Sequence, residues 1–341
     1  MKFDFRSDTV TKPTDKMRKA MMNASVGDDV YEDDPTVNEL EKYATTLFNV
    51  EAALFVPSGT FSNQVAIMTH TNRGDEIITE DHAHIKIYEV GAAAALSGVN
   101  IMSLPSVKGM MDLVVLEDTI RGLDVHFPTT KLICLENAYN GMALPLDYMQ
   151  SVKGIADKHG VLMHLDGARV FNAATALGVN VKEITKYFDS ISVCLSKGLC
   201  SPIGSILLGK SNFINKARRN RKMMGGGMRQ VGVLAAPALI SLKEMTLRLD
   251  EDHLNAAYLA NELDQIEWIN VDKEKLDINM VFLEIDHKDV ELLVDVLEKN
   301  EIIIGGYQKG LRLAVHNDIT KDSIKKLVKI FKEVLVWKEN T

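Results

Sequence analysis

Two polar residues close otherwise apolar runs: VLMHLDGAR carries Asp166 and SVCLSKGL carries Lys197. In an open α/β sheet, ligands bind beyond the carboxyl ends of the strands, so reacting groups are expected at such positions. A carboxylate ending an apolar strand is costly without a cationic partner. By itself Asp166 also suits capping of the helix that follows. A lysine emerging from such a strand can lose its charge through burial and become a nucleophilic amine; a snorkelling or salt-bridged lysine is the plainer alternative. Upstream, PSGTFSNQ ends a strand, gives the backbone room at Gly59 and opens a helix near Thr60. Free amides and the helix dipole make that point an anion site, although alone it also reads as an ordinary N-capped turn. It has neither the GxxxxGK[ST] pattern nor the spaced glycines of a dinucleotide fingerprint. RKMMGGGMRQVG offers a second anion-friendly entrance with Lys222 and Arg229, or else a flexible connector.

Taken together these segments say more. An acid and a lysine at successive strand ends, with an anion site upstream, are what pyridoxal 5'-phosphate requires. The lysine forms the Schiff base, the aspartate keeps the pyridine nitrogen protonated, and backbone amides cradle the phosphate.

The histidines and remaining arginines add to this cleft. DHAHIKIYEVG places His82 and His84 at alternate positions of a predicted strand, hence on one face. No further ligands complete a metal set, so none is expected; His84 stacked on an aromatic cofactor ring is the better reading. His126, in GLDVHFP, precedes a strand and also reads as a surface residue. Arg169 follows Asp166 by three positions and can face the same cleft. Arg312, in GLRLAVHND, can clamp a substrate carboxylate from the other side. For either arginine a surface ion pair is the alternative.

These residues need a scaffold. The chain has 341 residues, 46% hydrophobic and 25% charged, which suits a globular fold of two domains or one large α/β unit. A net charge of −8 without a clustered basic face argues against nucleic acid and anionic membrane as partners. Cys134, Cys194 and Cys200 have no CxxC spacing and suit free thiols in a reducing compartment. With no apolar leader or spanning run, a cytoplasmic protein is expected. Apolar runs at 52–57, 76–81, 99–104, 131–137, 161–166 and 190–196 alternate with helical patterns, the signature of βαβ units. A helix is predicted through YEVGAAAALSG. ILLGK follows the last run too closely for a crossover helix, which predicts one antiparallel strand. Beyond residue 245 the texture shifts to helices and short strands with tight returns. The expected organisation is a large domain over 1–245 and a small C-terminal α+β domain over 246–341, linked by TLRLDEDHLNAAYLANELDQI.

At this point the sequence resembles the low-specificity L-threonine aldolases, fold-type I pyridoxal phosphate enzymes. FRSDTVT (5–11), GDDVYEDDPTVNELE (27–41), PSGTFSN, HIKIYEVGAAA, HLDGARVFNA (164–173), CLSKGL and GGGMRQVG occur in that family's order, and the likeness extends to LRLAVHND (311–318). The resemblance implies a mostly parallel mixed sheet in the large domain. It implies Lys197 as the Schiff-base lysine, Asp166 at the pyridine nitrogen, Gly59 and Thr60 at the phosphate, and His84 stacked on the ring. Ser7, Arg169 and Arg312 would bind the substrate carboxylate, with His84 and His126 near the substrate hydroxyl. A homotetramer built from dimers is implied, with sites at the dimer interface. Lys222 and Arg229 would then reach a neighbour's phosphate, and Tyr31 would approach across that interface. The chain departs from the family with VYEDDP for VYGEDP, ENAYNG with Tyr139 for ENTHNG, SKGLCSP for SKGLGAP, and Lys86 for an aromatic or amide.

The reaction so implied is cleavage of threonine or allo-threonine to glycine and acetaldehyde, with His84, His126 or a water as base. The rivals on the same scaffold are a β-eliminating lyase, a racemase, or an aldolase for bulkier β-hydroxy-α-amino acids. A non-catalytic binding protein that kept the fold is a further rival, opposed by the presence of Lys197.

Overall fold

The computed structural model describes residues 2–285, 287–307 and 310–338. Seven strands make the central sheet: β1 (Ala52–Val56), β2 (Glu76–Glu80), β3 (Asn100–Leu104), β4 (Thr130–Glu136), β5 (Leu162–Asp166), β6 (Ser190–Cys194) and β7 (Ser205–Gly209). Their spatial order is β1-β7-β6-β5-β4-β2-β3. All run parallel except β7, which is antiparallel to both β6 and β1. The short 195–204 connection enforces that exception, since a parallel return needs a crossover of a dozen or more residues.

The helix Gly59–His70 shows why position, more than amphipathicity, governs burial here. Ser62, Asn63 and Gln64 are buried along with Val65, Ala66 and Ile67. Burial of polar side chains usually requires hydrogen bonding: Asn63 Nδ2 donates to Asp166 at the end of β5 and to Glu89, and Gln64 Nε2 donates to Glu89, while the Ser62 hydroxyl is buried without a partner among the described residues.

Two expectations fail in one segment. His82 and His84 do not share a strand face: β2 ends at Glu80, His82 lies in a turn, and His84 opens a helical turn, His84–Ile87. Carboxylates capture the backbone amides that would otherwise extend the strand, Glu80 taking His82 N–H (2.9 Å) and Glu136 taking His84 N–H (2.8 Å). The helix predicted through 88–98 is likewise broken, with only Ala93–Ser97 forming a π-helical turn. Gly91 and Gly98, both at positive φ, interrupt it.

A second sheet is antiparallel: β8 (Asn270–Val271), β9 (Met280–Glu284), β10 (Gly305–Tyr307) and β11 (Gly310–Ala314), in the order β8-β9-β11-β10. Its core (Leu263, Val281, Leu293, Leu313, Phe331) is separate from the main one around Phe48, Ile133, Leu165 and Ile206. The helix Leu249–Leu263 joins them, giving Leu249 to one core and Leu259 and Leu263 to the other. The N-terminal residues side with the C-terminal sheet. Phe3–Asp4 pairs in parallel with Ile302–Ile303, and Phe5 is fully buried in the second core. This strap carries Ser7 and Asp8 toward the strand ends of the main sheet.

Candidate active site

At the carboxyl ends of β4, β5 and β6 two cavities adjoin. One, of about 270 Å³, is lined by Gly59, Thr60, Asn63, Asp166 and Cys194. The other, of about 400 Å³, is lined by Ser7, Tyr88, Glu136, Arg169 and Arg312. His84 and Lys197 line both and so stand at their junction.

The smaller cavity has the features of a seat for a phosphorylated aromatic cofactor. Ser58 caps the helix Gly59–His70, accepting from Phe61 N–H at 3.2 Å. The Gly59 and Thr60 amides, which by geometry lack helical partners, remain available to an anion. Gly59 must be glycine for lack of room, since a Cβ there would lie 2.5 Å from Cys194 Sγ. At the opposite wall Asp166 is 3% exposed. Its carboxylate accepts Ala168 N–H (3.1 Å) and Asn63 Nδ2–H (2.8 Å). In place of the cationic partner expected for this buried acid stands the Asn63 amide, which the sequence reading missed, with His84 Nδ1 farther off at 3.9 Å.

Glu89 was missed as well. It is 1% exposed and accepts three donors: Asn63 Nδ2 (2.8 Å), Gln64 Nε2 (2.6 Å) and His84 Nδ1 (2.9 Å). With Nδ1–H engaged by Glu89, the His84 Nε2 is the ring nitrogen left for chemistry. Burial alone would lower the His84 pKa, but the Glu89 bond and the charge of Asp166, 3.9 Å away, outweigh it and the pKa stands above its ordinary value. His84, Glu89 and Asp166 are close enough together to suit a cation, yet the Asn63 amide already donates to both carboxylates. Glu136, which accepts the His84 amide, is pushed up to about 7 by burial and then by the charge of Asp166.

In the larger cavity Arg169 donates from Nε and Nη2 to Asp8, and Arg312 Nη2 donates to the Arg6 carbonyl at 3.2 Å. Ser7, Arg169 and Arg312 thus converge from the strap, the main sheet and β11.

A family model described as beta-eliminating lyase matches residues 4–286. The low-specificity L-threonine aldolase 1 of Arabidopsis thaliana is 43% identical over 344 residues, covering 98% of this chain and 96% of the relative. The chain belongs to the low-specificity L-threonine aldolase family. A structure of Leishmania major threonine aldolase superposes with a TM-score of 0.85 at 18% identity, covering 97% of this chain and 99% of that one. One described as SPT with PLP gives 0.76 at 16% identity, covering 97% and 87%. At those identities the likeness is one of fold.

Within this threonine aldolase family member, four of the expected site residues lie apart from both cavities of their own chain. Tyr31 is 73% exposed, and Lys222 and Arg229 are exposed, the latter paired with Asp28 at 2.9 Å. His126 has a side chain 77% exposed and bonds Asp124 at 3.2 Å. Of the family departures, Tyr139 is buried, and Lys86 reaches Ser103 Oγ at 2.8 Å on β3.

Proposed function

We propose that this chain is a pyridoxal 5'-phosphate-dependent aldolase that cleaves L-threonine or L-allo-threonine to glycine and acetaldehyde. The supporting observation is the junction itself: Lys197 and His84 stand between an anion seat backed by Asp166 and a carboxylate pocket backed by Arg169 and Arg312. The Gly59 and Thr60 amides would hold the phosphate, Asp166 the ring nitrogen and Lys197 the carbonyl carbon. Bound there, the cofactor supplies an electron sink for the pair left at Cα.

The chain's own residues do the rest. Arg169, Arg312 and Ser7 bind the substrate carboxylate, and Asp8 prevents Arg169 from swinging. Holding the carboxylate fixes which bond to Cα is directed for cleavage. His84 Nε2 takes the β-hydroxyl proton as the Cα–Cβ bond breaks, and Glu89 at Nδ1 stabilises the imidazolium that results. Lys197 then returns a proton to Cα.

We further propose a homotetramer in which a second copy brings Tyr31, His126, Lys222 and Arg229 to this site. That reading draws on their exposure and distance from their own chain's cavities. We also propose a domain boundary at 245/246 with the N-terminal strap as an addition to the small domain; the second core of Leu263, Val281, Leu293 and Leu313 supports it, although Leu249, Met280 and Phe282 pack in the main core. A cytoplasmic location agrees with three buried free cysteines and with no described helix long and apolar enough to cross a membrane.

The test is aldehyde release from L-threonine and L-allo-threonine by cofactor-loaded protein, beside Lys197→Ala. Acetaldehyde and glycine from the wild type alone supports the aldolase. A keto acid with ammonia would replace it with the β-eliminating alternative.

A further inference from the structure

Behind Asp166, a file of buried side chains that touch no substrate runs between the helix Gly59–His70 and strands β5 and β6. Asn63 is 1% exposed, and His164 and Ser190 are fully buried. Asn63 Oδ1 faces His164 Nε2 at 3.1 Å; His164 Nδ1 faces Ser190 Oγ at 2.8 Å; Ser190 Oγ faces His70 Nε2 at 2.7 Å. His70 stacks on Phe213 with ring centroids 4.3 Å apart. It lines a third cavity at the amino ends of β5 and β6, with Lys210 and Lys216.

The carboxylates at one end of this file set the direction of its hydrogens. Ionised carboxylates only accept, and Asp166 and Glu89 both contact the same atom of Asn63. That atom is therefore the amide nitrogen, with both its protons spent. The Asn63 oxygen then needs a donor, so His164 carries its proton on Nε2. Burial lowers the pKa of His164 to about 4 and of His70 to about 3, so each ring is neutral and has a single N–H. His164 Nδ1 must then accept from the Ser190 hydroxyl, whose oxygen accepts from His70 Nε2–H. All donors point toward Asp166, an arrangement in which neighbouring bonds polarise one another.

We propose that His164, Ser190 and His70 are positioning residues that lock the Asn63 amide with its nitrogen toward Asp166, and so fix the orientation of the carboxylate that would hold the cofactor's ring nitrogen. The proposal rests on the reading of Asp166 as the ring-nitrogen partner. If His164 held its proton on Nδ1, its bare Nε2 would face the Asn63 oxygen. The amide would turn over, and its oxygen would confront the Asp166 carboxylate.

Two measurements test this. In full-length protein carrying nitrogen-15 histidine, with and without cofactor, His164 is expected to be neutral with the proton on Nε2. A proton on Nδ1, or a charged ring near neutral pH, overturns the proposal whether or not cofactor binds. In the loaded protein, His164→Leu is expected to weaken cofactor binding about ten-fold, the upper scale of one neutral hydrogen bond. It should also shift the pH midpoint of the visible cofactor band and lower kcat with little change in KM. His164→Gln, whose amide can still donate to Asn63, should restore most of the loss; packing alone predicts no such rescue. Unchanged affinity and unchanged band titration in folded His164→Leu overturn the assignment. Should that variant fail to fold, Ser190→Ala, which removes the hydroxyl facing His164 Nδ1, is read the same way. Absence of any Lys197-dependent band in the wild type would sink the cofactor reading instead and leave the tautomer result standing.

Discussion

Arg169 donates from Nε (2.8 Å) and Nη2 (2.6 Å) to the two carboxylate oxygens of Asp8, a residue 161 positions earlier and fully buried. The pair ties the N-terminal strap to the end of β5 and leaves the arginine one donor edge for substrate.

Breaking it should cost both stability and binding. Removing one partner of a buried ion pair strands the other charge, so Asp8→Ala is expected to destabilise by roughly 3 kcal/mol, read from the urea midpoint. KM for threonine should rise more than kcat falls. Burial would raise the Asp8 pKa, but Arg169 outweighs it and holds the carboxyl well below the usual range. A depressed acid stabilises above its unfolded pKa of about 4 and loses that contribution as pH falls toward the folded value. Asp8→Asn should lack this acid-dependent loss. Parallel melting curves from pH 6 down to pH 3 would disprove it.

Glu136 behaves oppositely. Its pKa stands at about 7 in the fold, against about 4.3 unfolded. Between those values the native chain holds a proton that the unfolded chain has released, so this group's contribution to stability declines as pH rises. In cofactor-free protein, Glu136→Gln should therefore gain on the wild type between pH 5 and pH 8, as measured by denaturant midpoints. A constant difference across that window would count against the assignment.

The His84–Glu89 bond should be visible in the pH–rate profile. Glu89→Gln removes the carboxylate that raises the imidazole pKa, so the acid limb of kcat/KM should move to lower pH while the maximum falls. His84→Ala should lose at least about 10²-fold in kcat, the lower end of what general-base help supplies. Near-full activity in that variant would transfer the role to a water or to His126 of a second copy.

At Gly59 the limit is space. Gly59→Ala sets a Cβ 2.5 Å from Cys194 Sγ, and overpacking of this kind costs about 1–3 kcal/mol. Cofactor affinity should fall with it. Cys194→Ala removes the obstructing sulfur, so the double variant should recover much of the loss. A purely additive cycle would show that the two positions do not compete for volume.

Lys197 and Asp166 were legible because a polar residue ending an apolar strand has few structural reasons to be there. The antiparallel β7 was legible from the shortness of its connection. Asn63, Glu89 and Asp8 were not. Asn63 sits in a helix that reads as ordinary, and its value comes from two carboxylates brought to it across the fold. Glu89 lies beyond a four-residue helix in a segment without regular period. Asp8 appeared within the FRSDTVT motif, but its partner follows only from tertiary structure. The alternating histidines of DHAH imitated a strand, and only the Glu80 and Glu136 carboxylates reveal why the backbone turns away there.

The strap also sets an order of events during synthesis. Phe3–Asp4 are made long before the strand they pair with, Ile302–Ile303. Pairing at such separation must wait for the intervening chain. Ser7 and Asp8 therefore reach the cleft only after the C-terminal sheet exists. A nascent chain that has completed its central sheet, with Lys197 and Asp166 already in place, still has no finished carboxylate pocket. Substrate capture is withheld until that second sheet has been made.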